Sequence, residues 1–125
     1  MKNTPKLLIV DDDEGDRTLM KKAIEDAGFD LDLYVANSGE EGLKKAEELK
    51  PGVIVVLDTS LPGMDGFETC KRIKAIDKNL KVIICTGLID VVDAGKARAA
   101  GADDYCMKTS DFDALVASLR VVMMT

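Results

Sequence analysis

Short apolar runs recur along the chain, separated by stretches with helical patterning. The runs are Leu7–Val10, Leu33–Ala36, Val53–Leu57, Val82–Cys85 and the more mixed Asp104–Met107. The first, third and fourth are continuous and rich in β-branched residues, as expected of strands covered on both faces in a parallel sheet. They predict strands over about 6–10, 32–36, 53–57, 81–85 and 103–107. Leu19, Met20, Ala23, Ile24 and Ala27 recur at helical spacing, and Gly28 follows as a stop. Ser38 and Glu41 form a capping box ahead of Leu43, Ala46 and Leu49, and Pro51-Gly52 ends that helix. Phe67, Cys70 and Ile73 mark a third helix, and a fourth runs from Asp90 to Ala100 and stops at Gly101. Phe112, Leu115, Val116, Leu119 and Val122 form the last stripe, with Ser110 or Asp111 as its cap. The helices are therefore expected at about 14–27, 38–49, 65–75, 90–100 and 111–123.

Strands alternating with helices imply an α/β fold, a parallel sheet with helices on both faces. The length of 125 residues fits one domain, expected to span 1–125, that needs no disulfide or metal staple. No internal repeat or linker is visible, and the chain ends with its last helix, so no output domain is expected within it. Met1–Pro5 leads into an apolar run too short for a signal peptide or membrane span, which points to a cytoplasmic protein without membrane insertion. The net charge of −6 and the lack of a basic run argue against nucleic acid as a direct ligand.

Three cysteines, none in a Cys-x-x-Cys spacing, and no histidine leave no Cys/His zinc site. The cysteines read as buried thiols of a reducing compartment. Ser-His-Asp and Cys-His nucleophiles are excluded as well, so chemistry must fall to carboxylates, Lys, Thr, Ser, Tyr or Cys.

Open α/β sheets bind ligands at the carboxyl ends of their strands. After the first strand come Asp11, Asp12 and Asp13, then Glu14 and Asp16. Asp58 follows the third, Thr86 and Gly87 the fourth, and Lys108 the fifth. Helix capping accounts for Asp13, Glu14 and Asp16 as well as any function does. It accounts poorly for Asp11 and Asp12 beside Asp58, because converging carboxylates repel unless a cation joins them. Hard oxygen donors with room for water suit Mg²⁺. A strand-end lysine is ordinarily just solvated, but Lys108 would face this cluster. Thr86 could simply cap the next helix, or its hydroxyl could donate to a ligand oxygen. A metal, a carboxylate nucleophile, an ammonium and a hydroxyl are the equipment for phosphoryl transfer onto Asp58.

Leu8–Asp13, Val56–Gly66, Cys85-Thr86-Gly87 and Gly101–Lys108 together resemble the response regulator receiver domains of two-component systems, in order and spacing, over essentially the whole chain. The resemblance implies a flavodoxin-like (βα)5 three-layer sandwich with strand order 2-1-3-4-5. It implies that Asp58 accepts a phosphoryl group from a sensor histidine kinase or a histidine phosphotransfer protein. Asp12, Asp58 and the backbone carbonyl of Ser60 would hold Mg²⁺ (or Mn²⁺), with Asp11 acting largely through water. Lys108 would contact the phosphoryl group, Thr86 would move toward it, and Tyr105 would swing inward in step. Thr59, Ser60, Gly87 and Leu88 would flank the phosphoryl group, and apolar Leu88 would favour slow autodephosphorylation. Such a domain catalyses only its own phosphorylation and dephosphorylation. The face made by the fourth helix, last strand and last helix would bind a downstream effector or output domain, or a second copy of the chain.

One position departs from the family. Proline usually follows the lysine, joined by a cis peptide, and here Thr109 stands there. A cis bond before a non-proline residue costs about 2.5–4 kcal/mol, so a trans bond and an altered loop are expected. This departure supports an alternative reading, a receiver-like interaction module that works without phosphorylation. An aspartyl phosphatase would need an acid two residues after the nucleophile, where Ser60 stands. Flavin binding on the same fold would need a phosphate cradle after the first strand, where three aspartates stand.

Overall fold

A computed structural model describes residues 4–87 and 91–124. The elements are β1 (Lys6–Val10), α1 (Glu14–Asp26), β2 (Asp32–Ala36), α2 (Gly39–Leu49), β3 (Val53–Asp58), α3 (Gly66–Ile76), β4 (Lys81–Thr86), α4 (Val91–Ala99), β5 (Asp104–Met107) and α5 (Asp113–Met123). The strands form one five-stranded sheet in the order β2-β1-β3-β4-β5. Every pairing is parallel. This is the flavodoxin-like arrangement that the sequence implied.

The sheet separates two apolar layers, as strand alternation requires. Leu8, Val10, Val55, Leu57, Val82 and Ile84 pack with residues of α2, α3 and α4. Leu7, Ile9, Ile54, Val56, Ile83 and Cys85 pack with residues of α1 and α5. β3 lies at the centre and is buried along its whole length. The edge strands β2 and β5 are only partly buried. Each fully buried aliphatic side chain contributes roughly 1.5–3 kcal/mol, so the central strands form a stiff platform for their carboxyl ends. Cys70, Cys85 and Cys106 are buried and free. No described helix is long and apolar enough to cross a membrane.

Several caps follow the sequence reading. Ser38 Oγ accepts from Glu41 N at 3.1 Å, and the Glu41 carboxylate reaches back to Asn37 N at 2.8 Å. Asp13 caps α1 by accepting from the amides of Gly15 and Asp16. α5 differs from expectation. It starts at Asp113 rather than 111, and neither Ser110 nor Asp111 is its cap. Phe112 occupies that position in a left-handed conformation, φ 56°, with no side-chain cap bond. Its ring is buried in the α1/α5 layer. Burial of the ring has taken precedence over capping chemistry, while Asp111 accepts from Asp113 N just outside the helix. The peptide joining Lys108 to Thr109 is trans, since the one cis bond among the described residues is Lys50–Pro51.

The loop between β3 and α3 folds back tightly on the strand end. Gly66 N donates to Thr59 O at 3.1 Å. A Cβ on Gly66 would lie 2.0 Å from the Asp58 carbonyl oxygen. Gly66→Ala should therefore push α3 away from Asp58 and lower stability by about 1–3 kcal/mol in urea titration. Gly95 in α4 is the contrast, because a Cβ there would meet nothing within 4 Å. Gly95→Ala should stabilise by about 0.5–1 kcal/mol through helix propensity.

Candidate functional site

The strand order reverses between β1 and β3, whose ends deliver Asp11 and Asp58 to neighbouring positions. Asp11 and Asp58 are buried, whereas Asp12 is exposed. One oxygen from each of the three lies within 4.8 Å of the others. Three converging carboxylate oxygens with an open side form a hard donor set suited to a divalent cation. The residues present therefore fit the metal that the sequence implied.

Lys108 arrives from the end of β5. Its backbone N–H donates to Thr86 O, which ties it to β4. Its Nζ lies 2.8 Å from Asp11 Oδ2, 2.8 Å from Asp16 Oδ2 and 3.3 Å from Asp58 Oδ2. Arg17 braces the same corner by donating to the Asp11 carbonyl at 2.7 Å. Burial alone would lower the Lys108 pKa, but the hydrogen bonds to Asp11 and Asp16 and the charge of Asp58 hold it above the ordinary lysine value. The Asp58 carboxyl moves above its ordinary value. Burial is the main cause, the Lys108 charge opposes it, and the Asp11 charge adds to it.

Thr86, buried at the end of β4, shares a hydroxyl–hydroxyl hydrogen bond of 3.1 Å with Thr59. The backbone N–H of Ser60 donates to Asp58 Oδ1 at 3.4 Å, and Ser60 and Gly87 are exposed at the rim. Tyr105 packs on the α2/α3/α4 layer with its hydroxyl buried. Leu88 lies outside the described residues.

Asp16 is the residue whose part in this site the sequence reading missed. It stood there as one more acid in the first turn of a helix. Nothing in that pattern distinguished it from Glu14, which makes no such contact with Lys108. Only the packing of α1 beside the end of β5 sets the two apart.

The comparisons with known proteins agree with this geometry. The response regulator receiver domain matches residues 7–120. The transcriptional regulatory protein AfsQ1 of Streptomyces coelicolor is 40% identical over 119 residues, which are 95% of this chain and 51% of that protein. The chain thus spans about half the length of that relative. The chemotaxis protein CheY of Listeria monocytogenes is 40% identical over 118 residues, covering 92% of this chain and 95% of the other. Among solved structures, the response regulator TrrA of Thermotoga maritima, in complex with Mg²⁺-BeF, superposes with a TM-score of 0.83 at 28% identity. That match covers 95% of this chain and 99% of TrrA. With its sheet order, its aspartate cluster and these relatives in agreement, the chain belongs to the response regulator receiver domain family.

Proposed function

We propose that this chain is the phosphoryl-accepting receiver of a two-component phosphorelay, with Asp58 as acceptor. The observation that carries the reading is the Lys108 ammonium 3.3 Å from Asp58, beside a three-carboxylate cluster. In the reaction, an Asp58 oxygen attacks phosphorus in line. The phosphorus–nitrogen bond of the donor phosphohistidine breaks, and its electron pair leaves with the imidazole. The donor histidine belongs to a sensor kinase or phosphotransfer protein, since this chain has none. Asp11, Asp12, Asp58 and the Ser60 carbonyl would hold Mg²⁺ or Mn²⁺, which when bound neutralises charge on the phosphoryl oxygens. Lys108 supplies a second positive charge to the same oxygens. Thr59, Ser60 and Gly87 border the acceptor and govern the approach of water.

Output follows from Thr86. To donate to a phosphoryl oxygen, its hydroxyl would turn its proton away from Thr59, from which it can still accept, and Tyr105 packs on the same face of the sheet as Thr86. Val91 and Val92 of α4, Met107 of β5 and Val121 of α5 are exposed around the β5 edge of the sheet, and they form the surface for an effector, an output domain or a second copy. The chain acts in the cytoplasm and catalyses only its own phosphorylation and dephosphorylation. The alternative, an interaction module indifferent to phosphorylation, draws on Thr109 in place of proline. It leaves the contact between Lys108 and Asp58 without a use.

Acetyl phosphate and Mg²⁺ test the reading without the natural donor. The wild type should gain the mass of one phosphoryl group, Asp58→Ala should gain none, and Lys108→Ala should react at least about tenfold more slowly. A wild type that gains no mass, or an Asp58→Ala that does, would sink it.

Proton linkage gives an independent check. A carboxyl whose pKa is raised on folding holds its proton more tightly in the folded state. Its stabilising contribution is complete at low pH and is lost as pH rises through the folded value. Ionised Asp58 is therefore a cost at neutral pH. In chelator, Asp58→Asn should be more stable than wild type at pH 7 by on the order of 1 kcal/mol. The gain should shrink as pH falls toward the ordinary carboxylate value of 3.8, as read by urea denaturation across pH. Lys108 shifts upward, so its contribution is retained throughout this range.

A further inference from the structure

Lys108 occupies two of the three carboxylates that a divalent cation needs. Its ammonium sits 2.8 Å from Asp11 and 3.3 Å from Asp58. A cation arriving at Asp11, Asp12 and Asp58 meets this positive charge at close range, and like charges repel most strongly where burial has removed water. The lysine cannot simply swing into solvent, because its side chain is only 13% exposed and its backbone is tied to Thr86 O. One further acceptor is within its reach. Asp16 Oδ2 lies 2.8 Å from Nζ, and Asp16 does not belong to the three-carboxylate cluster. Asp16 does not cap α1 either, since Asp13 accepts from the amides of Gly15 and Asp16. Its carboxylate is thus committed to Lys108.

We propose that Asp16 is a positioning residue that holds the Lys108 ammonium while a divalent cation takes Asp11 and Asp58. The inference rests on the reading of these aspartates as a cation site. An ammonium has three N–H donors, so it can keep the bond to Asp16 while releasing Asp11 and Asp58. Asp16 thereby sets the cation affinity of the site and keeps Lys108 beside the acceptor. Without Asp16, the ammonium has only the metal-binding carboxylates as partners, and cation and lysine compete for the same oxygens.

The test is a Mg²⁺ titration of the intact chain followed by calorimetry, which requires no phosphorylation. Asp16→Asn should raise the half-saturating Mg²⁺ concentration on the order of three- to tenfold, as expected for losing one charge-assisted partner. Lys108→Ala should lower it. In the Lys108→Ala background, Asp16→Asn should change it by less than about twofold, because the two residues act as a unit. Asp16→Glu should recover part of the loss. An equal effect of Asp16→Asn in both backgrounds would overturn the proposal, since Asp16 would then act as a bare charge on the cation. No effect in the presence of Lys108 would overturn it too. A wild type that binds Mg²⁺ with the expected cycle but takes no phosphoryl group from acetyl phosphate would refute the proposed function and leave this inference standing. Circular dichroism on each variant confirms that a native fold is being compared.

Discussion

The site is held together by one ammonium among carboxylates. Lys108 joins the ends of β1, β3 and β5 and the first turn of α1 through Asp11, Asp58 and Asp16. Gathering acidic groups at a half-buried sheet edge is unfavourable, because each loses water and repels the others. The upward shift of Asp58 is the residue of that cost, and the upward shift of Lys108 is its counterpart. Fixing the lysine from the protein side allows the cluster to persist without depending wholly on a bound cation. The same fixing limits where the lysine can go when a cation arrives, and this gives the Asp16 contact its weight.

Strand alternation explains why these groups meet at all. In β1 and β3, Ile9 and Val56 face the α1/α5 layer, so Asp11 and Asp58, each two residues further along, emerge on the same side. Cys106 faces that layer in β5, and Lys108 follows it by two. α1 carries Asp16 on this side of the sheet. Thr86 has the opposite parity, two residues beyond Ile84 in the α2/α3/α4 layer, where Tyr105 also packs. The acceptor and the Thr86 and Tyr105 side chains proposed to report on it therefore lie on opposite faces. The hydroxyl pair of Thr59 and Thr86 sits at the rim between them, at 3.1 Å.

The central strands were legible because continuous β-branched runs have few other homes. Val53–Leu57 and Val82–Cys85 are buried along their length, as their composition required. The Ser38 cap was legible because its chemistry is local. The trans peptide at Lys108–Thr109 was legible from the energetics of a single bond. The start of α5 was not, because Ser110 and Asp111 satisfy the local rule while Phe112 answers to the core. Asp16 was not legible for a related reason. Its partner is 92 residues away, and the local pattern offers a sufficient but different role in the first turn of a helix.

The Thr109 departure bears on how the lysine is held. Fixing Lys108 through backbone geometry at the next residue would need a constraint that a trans Lys108–Thr109 bond does not supply. In this chain the lysine is instead secured at both of its ends. Its amide is bonded to Thr86 O, and its ammonium is bonded to Asp11 and Asp16. The two anchors differ in kind. The amide bond extends the pairing of β4 with β5 and is indifferent to charge. The ammonium bonds depend on carboxylates, two of which, Asp11 and Asp58, a cation would claim. An anchor that survives cation binding must therefore come from outside the metal cluster, and among the described acids that touch Lys108 only Asp16 meets that condition.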